Sequence, residues 1–158
     1  MELRRRTEGF TLIELMIVVV IATILLSIAI PSYMSQVRES RRTEAKTALL
    51  DLAGREESFF STNGANYTNV AASLGYPNGW VAGNSPNGYY TITVACVAAQ
   101  GVALGCGDPA APNGPAYYLT ATPVGTQAND TQCGTFAVDS LGNQYATGTL
   151  GNAQCWAH

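Results

Sequence analysis

Glu14 is the residue of this chain with the clearest chemical consequence, because it is an acid next to a long apolar run. The run extends from Leu15 to Ile30 and contains no other ionisable side chain. A charged group within a membrane span costs about 2.5–3.5 kcal/mol on insertion scales, so such groups are usually paired and functional. Glu14 is therefore predicted to act through an opposite charge that meets it in lipid.

Cysteines offer the second kind of chemistry, and all four lie beyond the apolar run: Cys96, Cys106, Cys133 and Cys155. Their spacings of 10, 27 and 22 positions lack the close pairs of zinc sites. An even number on the exported side of a membrane predicts two disulfides, for which three connectivities exist. We predict the two local pairs, Cys96–Cys106 and Cys133–Cys155, each worth about 2–4 kcal/mol. Free buried thiols are the alternative.

Catalytic constellations are not recognisable in the sequence. The only histidine is His158, and the adjacent acids Glu56 and Glu57 do not face one another on a helix. No Ser/His/Asp set, metal cluster or phosphate loop stands out. We therefore predict that the chain is not an enzyme and holds neither a metal nor a cofactor.

The charge is unevenly distributed along the 158 residues, whose formal net charge is −3. All eight Lys and Arg lie at or before Arg55, and the segment 56–158 contains five acids and no Lys or Arg. Nucleic-acid binding needs clustered Lys and Arg, so we expect no direct contact with nucleic acid. The length predicts one domain plus an anchor.

One long helix, residues 10–61, is predicted to position Glu14. Residues 10–30 would span about 31 Å, close to the roughly 30 Å hydrocarbon core of a bilayer. Arg4, Arg5 and Arg6 precede this span and should stay cytoplasmic, which sends the C-terminal bulk across the membrane. Pro31 lacks a backbone donor and is predicted to kink or loosen the helix.

The second half of the helix, residues 31–61, is predicted to be amphipathic. An apolar stripe recurs there near the helical period, with charged residues between its members; its members are Met34, Val37, Ala45, Ala48, Leu49 and Leu52. Residues 62–158 are predicted to form a head domain, with an irregular stretch over 62–88 and a loop over 98–114. Strands are predicted at residues 89–96, 116–122, 135–139 and 144–147.

The connections between these strands contain no crossover helices, so the sheet should be antiparallel. The predicted fold class is α+β: a long N-terminal α-helix packed on a small antiparallel β-sheet, with two disulfides.

These residues resemble a known family. Gly9-Phe10-Thr11-Leu12-Ile13-Glu14, the apolar run and Pro31-Ser32-Tyr33 are similar to the N-terminus of a type IV prepilin, over about residues 4–55. The distal part resembles minor pilins of the PilE-like subclass through Cys133-Gly134, a Gly-rich turn and Cys155-Trp156.

The resemblance implies a role for each matching residue. Residues 1–9 would be a leader that a prepilin peptidase removes between Gly9 and Phe10, and the same enzyme would methylate the new amine of Phe10. Glu14 would pair with the positive N-terminus of a neighbouring subunit during assembly. Pro31 would mark where the helix stretches or melts in the filament.

The resemblance also implies a structural function in a type IV pilus of a Gram-negative bacterium. The chain would be a minor pilin that promotes assembly, with twitching motility, attachment and DNA uptake following from the assembled machine. Its partners would be other pilins, the prepilin peptidase, the inner-membrane assembly platform and inner-membrane lipid. It would sit in the inner membrane with a periplasmic head and then in the extracellular pilus.

Other interpretations remain open. A type II secretion pseudopilin has the same leader, and a pilus-tip adhesin or DNA receptor would need an exposed patch on the head. A secretory signal cleaved after Ser27-Ile28-Ala29 would leave a soluble chain. Basic residues just beyond the span could form a lipid-headgroup patch instead of a solvated helix face; they are Arg38, Arg41, Arg42 and Lys46.

Overall fold

The computed structural model describes residues 9–64, 66–76, 84–97, 113–114 and 116–157. Residues 1–8 of the predicted leader 1–9 and Cys106 lie outside this range, and so therefore does the predicted Cys96–Cys106 disulfide. The chain divides into two compact units, Met1–Val37 and Arg38–His158.

Helix α1 extends over Leu12–Thr62 and contains Pro31 within it. The predicted helix covered residues 10–61, so both of its ends lie within two residues of the observed ones. Thr11 starts the helix, because its carbonyl oxygen accepts the Leu15 amide at 3.2 Å and its hydroxyl accepts the Glu14 amide at 3.3 Å. After the last turn the Asn63 amide donates to the Phe59 carbonyl at 2.9 Å, and Gly64 adopts a φ of +71°.

The first unit consists of the apolar start of α1 within the described residues. Its hydroxyl side chains bond back to the carbonyl three residues earlier: Thr23 to Val20 at 2.8 Å and Ser27 to Ile24 at 2.7 Å. Polar groups in hydrocarbon have no water to bond to, so this internal pairing suits a lipid environment. By length and composition, α1 is long and apolar enough to cross a membrane.

The second unit has a four-stranded antiparallel sheet in the order β2-β4-β5-β6. Its strands are β2 (Tyr90–Val97), β4 (Ala116–Pro123), β5 (Phe136–Asp139) and β6 (Gln144–Ala146). All four strands and their antiparallel pairing were predicted from the sequence. The hydrophobic core combines their inward side chains with the stripe of α1 formed by Ala45, Ala48, Leu49 and Leu52.

Two short strands and a short α-helix were not predicted. Strand β1 (Tyr67–Thr68) pairs antiparallel with β3 (Asn113–Gly114), within stretches that the sequence indicated as irregular and as a loop. Helix α2 covers only Gly151–Trp156. Strands of two residues are too short to alternate, and a helix of six residues is too short to show a helical period, so the sequence carries no local signal for these three.

A disulfide joins Cys133 to Cys155, as predicted, and ties the segment before β5 to α2. Both cysteines are buried in the core. The two backbone segments beside it pass very close together, because a Cβ on Gly148 would lie 2.1 Å from the Gln132 carbonyl oxygen. Position 148 therefore accepts only glycine without rearrangement.

Removing this disulfide should lower the free energy of unfolding of the head by about 3 kcal/mol, since it closes a loop of about 22 residues. The measurement is urea unfolding of the full chain in detergent, followed by near-ultraviolet circular dichroism, for Cys133→Ser/Cys155→Ser. The control is Glu39→Gln, which alters an exposed carboxylate of α1 and leaves both predicted bridges intact. An unchanged urea midpoint for the first variant would contradict the prediction.

Candidate functional site

Glu14 lies in the first turn of α1, where Thr11 is the N-cap residue and Glu14 is the third helical residue. This Thr-x-x-Glu spacing is the capping-box pattern, in which the cap side chain bonds the backbone amide of the acid. The Glu14 amide does donate to the Thr11 hydroxyl. Negative charge is also favourable at a helix N-terminus. This local role of Glu14 was not predicted, although the Thr-x-x-Glu spacing is visible in the sequence.

The local role does not supply Glu14 with a counter-charge. Residues 9–37 contain no Lys, Arg or His, so the first unit has no basic side chain among its described residues. Cleavage between Gly9 and Phe10 would create an amine four positions before Glu14. That amine is the one cation that this segment can acquire, and it would be present in every copy of the processed chain.

The apolar surface of the first unit has no cover within the described chain. Every large apolar side chain from Phe10 to Met34 is at least half exposed, and Phe10 is 80 % exposed. Apolar surface exposed to water costs roughly 25 cal/mol per Å², and continuous patches of this kind mark membrane or protein contacts. The helix must therefore be covered by lipid or by other apolar helices.

Pro31 stands inside α1, and the helix continues through it. Proline has no amide hydrogen, so the carbonyl of Ser27 loses the partner that a helix normally provides. The position is thus a built-in weak point of the backbone hydrogen bonding. Its proposed stretching or melting in a filament stays a prediction.

In the second unit, Arg42 of α1 forms a bidentate ion pair with Asp130. The Arg42 Nε and Nη2 atoms each lie 2.7 Å from an Asp130 carboxylate oxygen, and Nη2 also donates to the Gln132 side chain at 2.8 Å. Both partners are buried, with 9 % and 3 % of their surface exposed. We call this pair the Arg42–Asp130 anchor.

The anchor connects the helix to the disulfide-bounded region. Asp130 accepts the Cys133 amide at 3.4 Å through Oδ1 and the Gly134 amide at 3.0 Å through its carbonyl. Gln127 adds to the network, because its Nε2 donates to the Tyr90 hydroxyl at 3.0 Å and to the Arg38 carbonyl at 3.3 Å. Burial acts to raise the pKa of Asp130, but the hydrogen bonds and charge of Arg42 outweigh it and lower that pKa.

Arg42 and Lys46 belong neither to a lipid-headgroup patch nor to a solvated helix face, the two roles considered from the sequence. Arg42 and Lys46 are buried, and burial lowers the pKa of Lys46 with a further contribution from the Arg42 charge. Arg41 donates to the Thr126 hydroxyl at 2.9 Å and lies 4.1 Å from the centroid of the Tyr89 ring. Arg55 is paired with Asp51 at 3.0 Å. The contacts of Arg41 and Arg42 could not be predicted from the sequence, because Thr126 and Asp130 are 85 and 88 positions away.

Family models match two parts of the chain. Residues 31–137 match the model described as type IV minor pilin ComP, DNA uptake sequence receptor. Residues 4–30 match the prokaryotic N-terminal methylation motif.

Several curated proteins are similar. The fimbrial protein EcpC of Eikenella corrodens is 34 % identical over 110 residues, which cover 65 % of this chain and 71 % of EcpC. The type IV major pilin protein PilA of Myxococcus xanthus is 46 % identical over 71 residues, 45 % of this chain and 32 % of PilA. The type IV major fimbrial protein FimA of Dichelobacter nodosus is 35 % identical over 96 residues, 54 % of this chain and 60 % of FimA.

The chain thus spans about a third of the length of the M. xanthus relative and 60 % of the D. nodosus one. Among solved structures, a type IV pilin from Shewanella oneidensis matches with a TM-score of 0.47 and 24 % identity. That match covers 77 % of this chain and 99 % of the other.

Proposed function

The chain belongs to the type IV pilin family, and from that premise we propose that it is a minor pilin which enters the pilus and promotes its assembly. The observation that carries a filament role is the uncovered apolar start of α1, with Glu14 as its one carboxylate. The minor role is supported by the match of residues 31–137 to a minor-pilin family model. The methylation motif is a signal for a processing enzyme, which supports a structural subunit that is a substrate.

Processing would create the assembly site. A prepilin peptidase would cut between Gly9 and Phe10 and methylate the Phe10 amine, in line with the matched methylation motif. A lone ammonium and a lone carboxylate are each unfavourable in lipid, and each cancels much of the other's cost when two subunits align at one axial offset. Glu14 would thereby set the stagger between neighbouring subunits.

The proposed location and partners of the chain change when it enters the pilus. Before assembly, α1 holds the chain in the inner membrane with the head in the periplasm, beside the assembly platform. Afterwards other pilin helices replace lipid around residues 10–34, and the head becomes part of the extracellular surface. Twitching motility and attachment would be properties of the assembled fibre.

Gene deletion followed by fibre counting tests the proposed role. Loss of surface fibres on deletion, with only trace amounts of this subunit in fibres sheared from the wild type, is the expected result for a minor pilin that promotes assembly. An abundant subunit would make it the major pilin instead. Unchanged fibre number on deletion would contradict the assembly role.

Two alternatives are less well supported. A type II secretion pseudopilin fits the leader, but the relatives that match are named as pilins and fimbrial proteins, and the disulfide closes the C-terminal region. A DNA receptor is favoured by the description of the matched family model. The chemistry of this head does not support it, because no Lys or Arg follows Arg55 and two of the preceding cations are buried.

DNA binding by the processed chain, which begins at Phe10 and lacks Arg4, Arg5 and Arg6, should therefore be weak in detergent. At 150 mM salt we expect a Kd no tighter than about 100 μM for duplex DNA, measured by fluorescence anisotropy. The salt dependence should correspond to about two phosphate contacts at most, and it should disappear in Arg38→Gln/Arg41→Gln. Submicromolar binding that prefers one sequence over a scrambled duplex would favour the receptor role.

A further inference from the structure

Glu56, on the head-facing part of α1, is buried without a counter-charge. Its side chain has no exposed surface, and its Oε1 atom has no hydrogen-bond partner among the described residues. The other oxygen, Oε2, accepts the backbone amide of Thr68 at 3.1 Å. Thr68 is one of only two residues of strand β1. A buried charge with a single hydrogen bond is much less favourable than a buried neutral carboxyl group.

The neighbouring acid Glu57 holds the other residue of β1. Its Oε1 accepts the Tyr67 hydroxyl at 3.0 Å and is 3.5 Å from the Tyr117 hydroxyl. Consecutive carboxylates of α1 therefore hold consecutive residues of β1. Tyr67 is further packed by Phe60, whose ring centroid lies 4.6 Å away, and by Tyr117 at 4.7 Å.

The groups that face Glu56 disfavour its ionised form. Burial raises the pKa of Glu56 to about 7, and the negative charge of Glu57 adds to this, whereas the Thr68 amide opposes it. The phenols of Tyr67 and Tyr117 contribute no positive charge, and burial raises the pKa of Tyr67 to about 12, so it stays neutral at physiological pH. Arg55, the adjacent cation, is already paired with Asp51 and the Leu74 carbonyl.

We propose that Glu56 is a proton-dependent latch: its neutral carboxyl group can stay buried beneath β1, whereas the ionised carboxylate must reach water and so displaces residues 66–70 from α1. The released segment is short because a second attachment follows it. Arg55 donates to the Leu74 carbonyl at 3.1 Å and lies 4.3 Å from the centroid of the Tyr76 ring, which limits opening to the part before residue 74. The latch would make this edge of the head respond to the pH around the subunit.

The sign of the effect follows from the two protonation states. The pKa of Glu56 is higher in the folded head than its ordinary value of 4.5, so the folded state binds the proton more tightly. Stability is therefore full below about pH 4.5 and is lost as the pH rises toward about 7, where the folded carboxyl ionises. The population of open latches therefore rises with pH.

Nuclear magnetic resonance of the full chain in neutral detergent tests the latch. With Glu labelled at the side-chain carboxyl carbon, one resonance should titrate with a midpoint of about 7 and disappear in Glu56→Gln. The Thr68 amide shift should follow the same midpoint. Amide exchange of residues 66–70, divided by intrinsic rates, should rise about tenfold between pH 5.5 and pH 8, and less than twofold in Glu56→Gln.

Glu57→Gln is the matched control, since it removes the adjacent carboxylate and leaves Glu56 in place; it should lower the Glu56 midpoint and keep the coupling. The wild-type titration decides the question even if Glu56→Gln does not fold. A Glu56 midpoint near the ordinary value would overturn the proposal. So would a raised midpoint to which the Thr68 amide and the exchange of residues 66–70 do not respond.

Discussion

Replacing Glu14 with leucine should leave membrane insertion and leader removal intact and should reduce the amount of subunit in surface fibres at least about tenfold. Leucine is favourable in lipid, so insertion is not impaired. The Phe10 ammonium of a neighbouring subunit would lose its carboxylate, and a buried charge without its partner costs about 3–5 kcal/mol, more than the roughly 1.4 kcal/mol that corresponds to a tenfold change. The measurement is the ratio of subunit in sheared fibres to subunit in membranes.

Three further variants separate this ion pair from the capping role of Glu14. Glu14→Gln keeps the size and polarity of the side chain but not its charge, so it should enter fibres as poorly as Glu14→Leu. Glu14→Asp keeps the charge and should enter fibres in part. Thr11→Ala removes the hydroxyl that accepts the Glu14 amide and leaves the carboxylate in place. It should cost about 1 kcal/mol of helix stability and enter fibres nearly normally. If Thr11→Ala enters fibres poorly while Glu14→Gln enters normally, fibre entry depends on the helix cap and not on the ion pair.

Replacing Asp130 with alanine should lower the free energy of unfolding of the head by about 3–5 kcal/mol, because Arg42 would remain buried without its partner. The change is measured by urea unfolding of the full chain in detergent. Glu39→Gln, which alters an exposed carboxylate one turn before Arg42, should change stability by less than about 0.5 kcal/mol. The double variant Arg42→Leu/Asp130→Leu should recover part of the loss, since a buried ion pair is replaceable by apolar side chains.

The same anchor predicts a dependence on pH. The pKa of Asp130 is lower in the folded head than its ordinary value of 3.8, because the hydrogen bonds and charge of Arg42 outweigh burial. Its contribution is therefore fully present above about pH 4 and is lost as the pH falls through the folded pKa. Asp130→Ala should remove this acid-limb dependence. A variant as stable as the wild type, or a double variant as unstable as the single one, would contradict the account of the anchor.

Local sequence patterns were sufficient to predict helix α1, which positions Glu14, and the four strands of the larger sheet. The apolar run and the amphipathic stripe predicted α1 to within two residues at each end, and alternating Tyr, Thr and Val predicted the four strands of the larger sheet. The Cys133–Cys155 disulfide followed from sequence proximity. These features are set by residues close together in the chain, so their periods and spacings are visible without the fold.

Contacts between side chains that are far apart in the sequence were not predictable. Arg42 and Asp130 are 88 positions apart, and neither has a flanking pattern that indicates the other. The sequence pattern predicted that Arg42 and Lys46 lie on the polar face of α1, whereas both are buried in the head. Glu56 was considered only as a catalytic partner of Glu57, and its burial depends on β1, which is two residues long. Such burial is decided by tertiary packing, which has no local period.

The most direct measurement of the central claim is mass spectrometry of the N-terminal peptide from fibres sheared off the cell surface. A filament subunit that is joined to its neighbours through Glu14 must expose a processed amine, so the peptide should begin at N-methylated Phe10. A peptide that begins at Met1 or near Ile30, or a chain that is absent from the fibres, would contradict the claim.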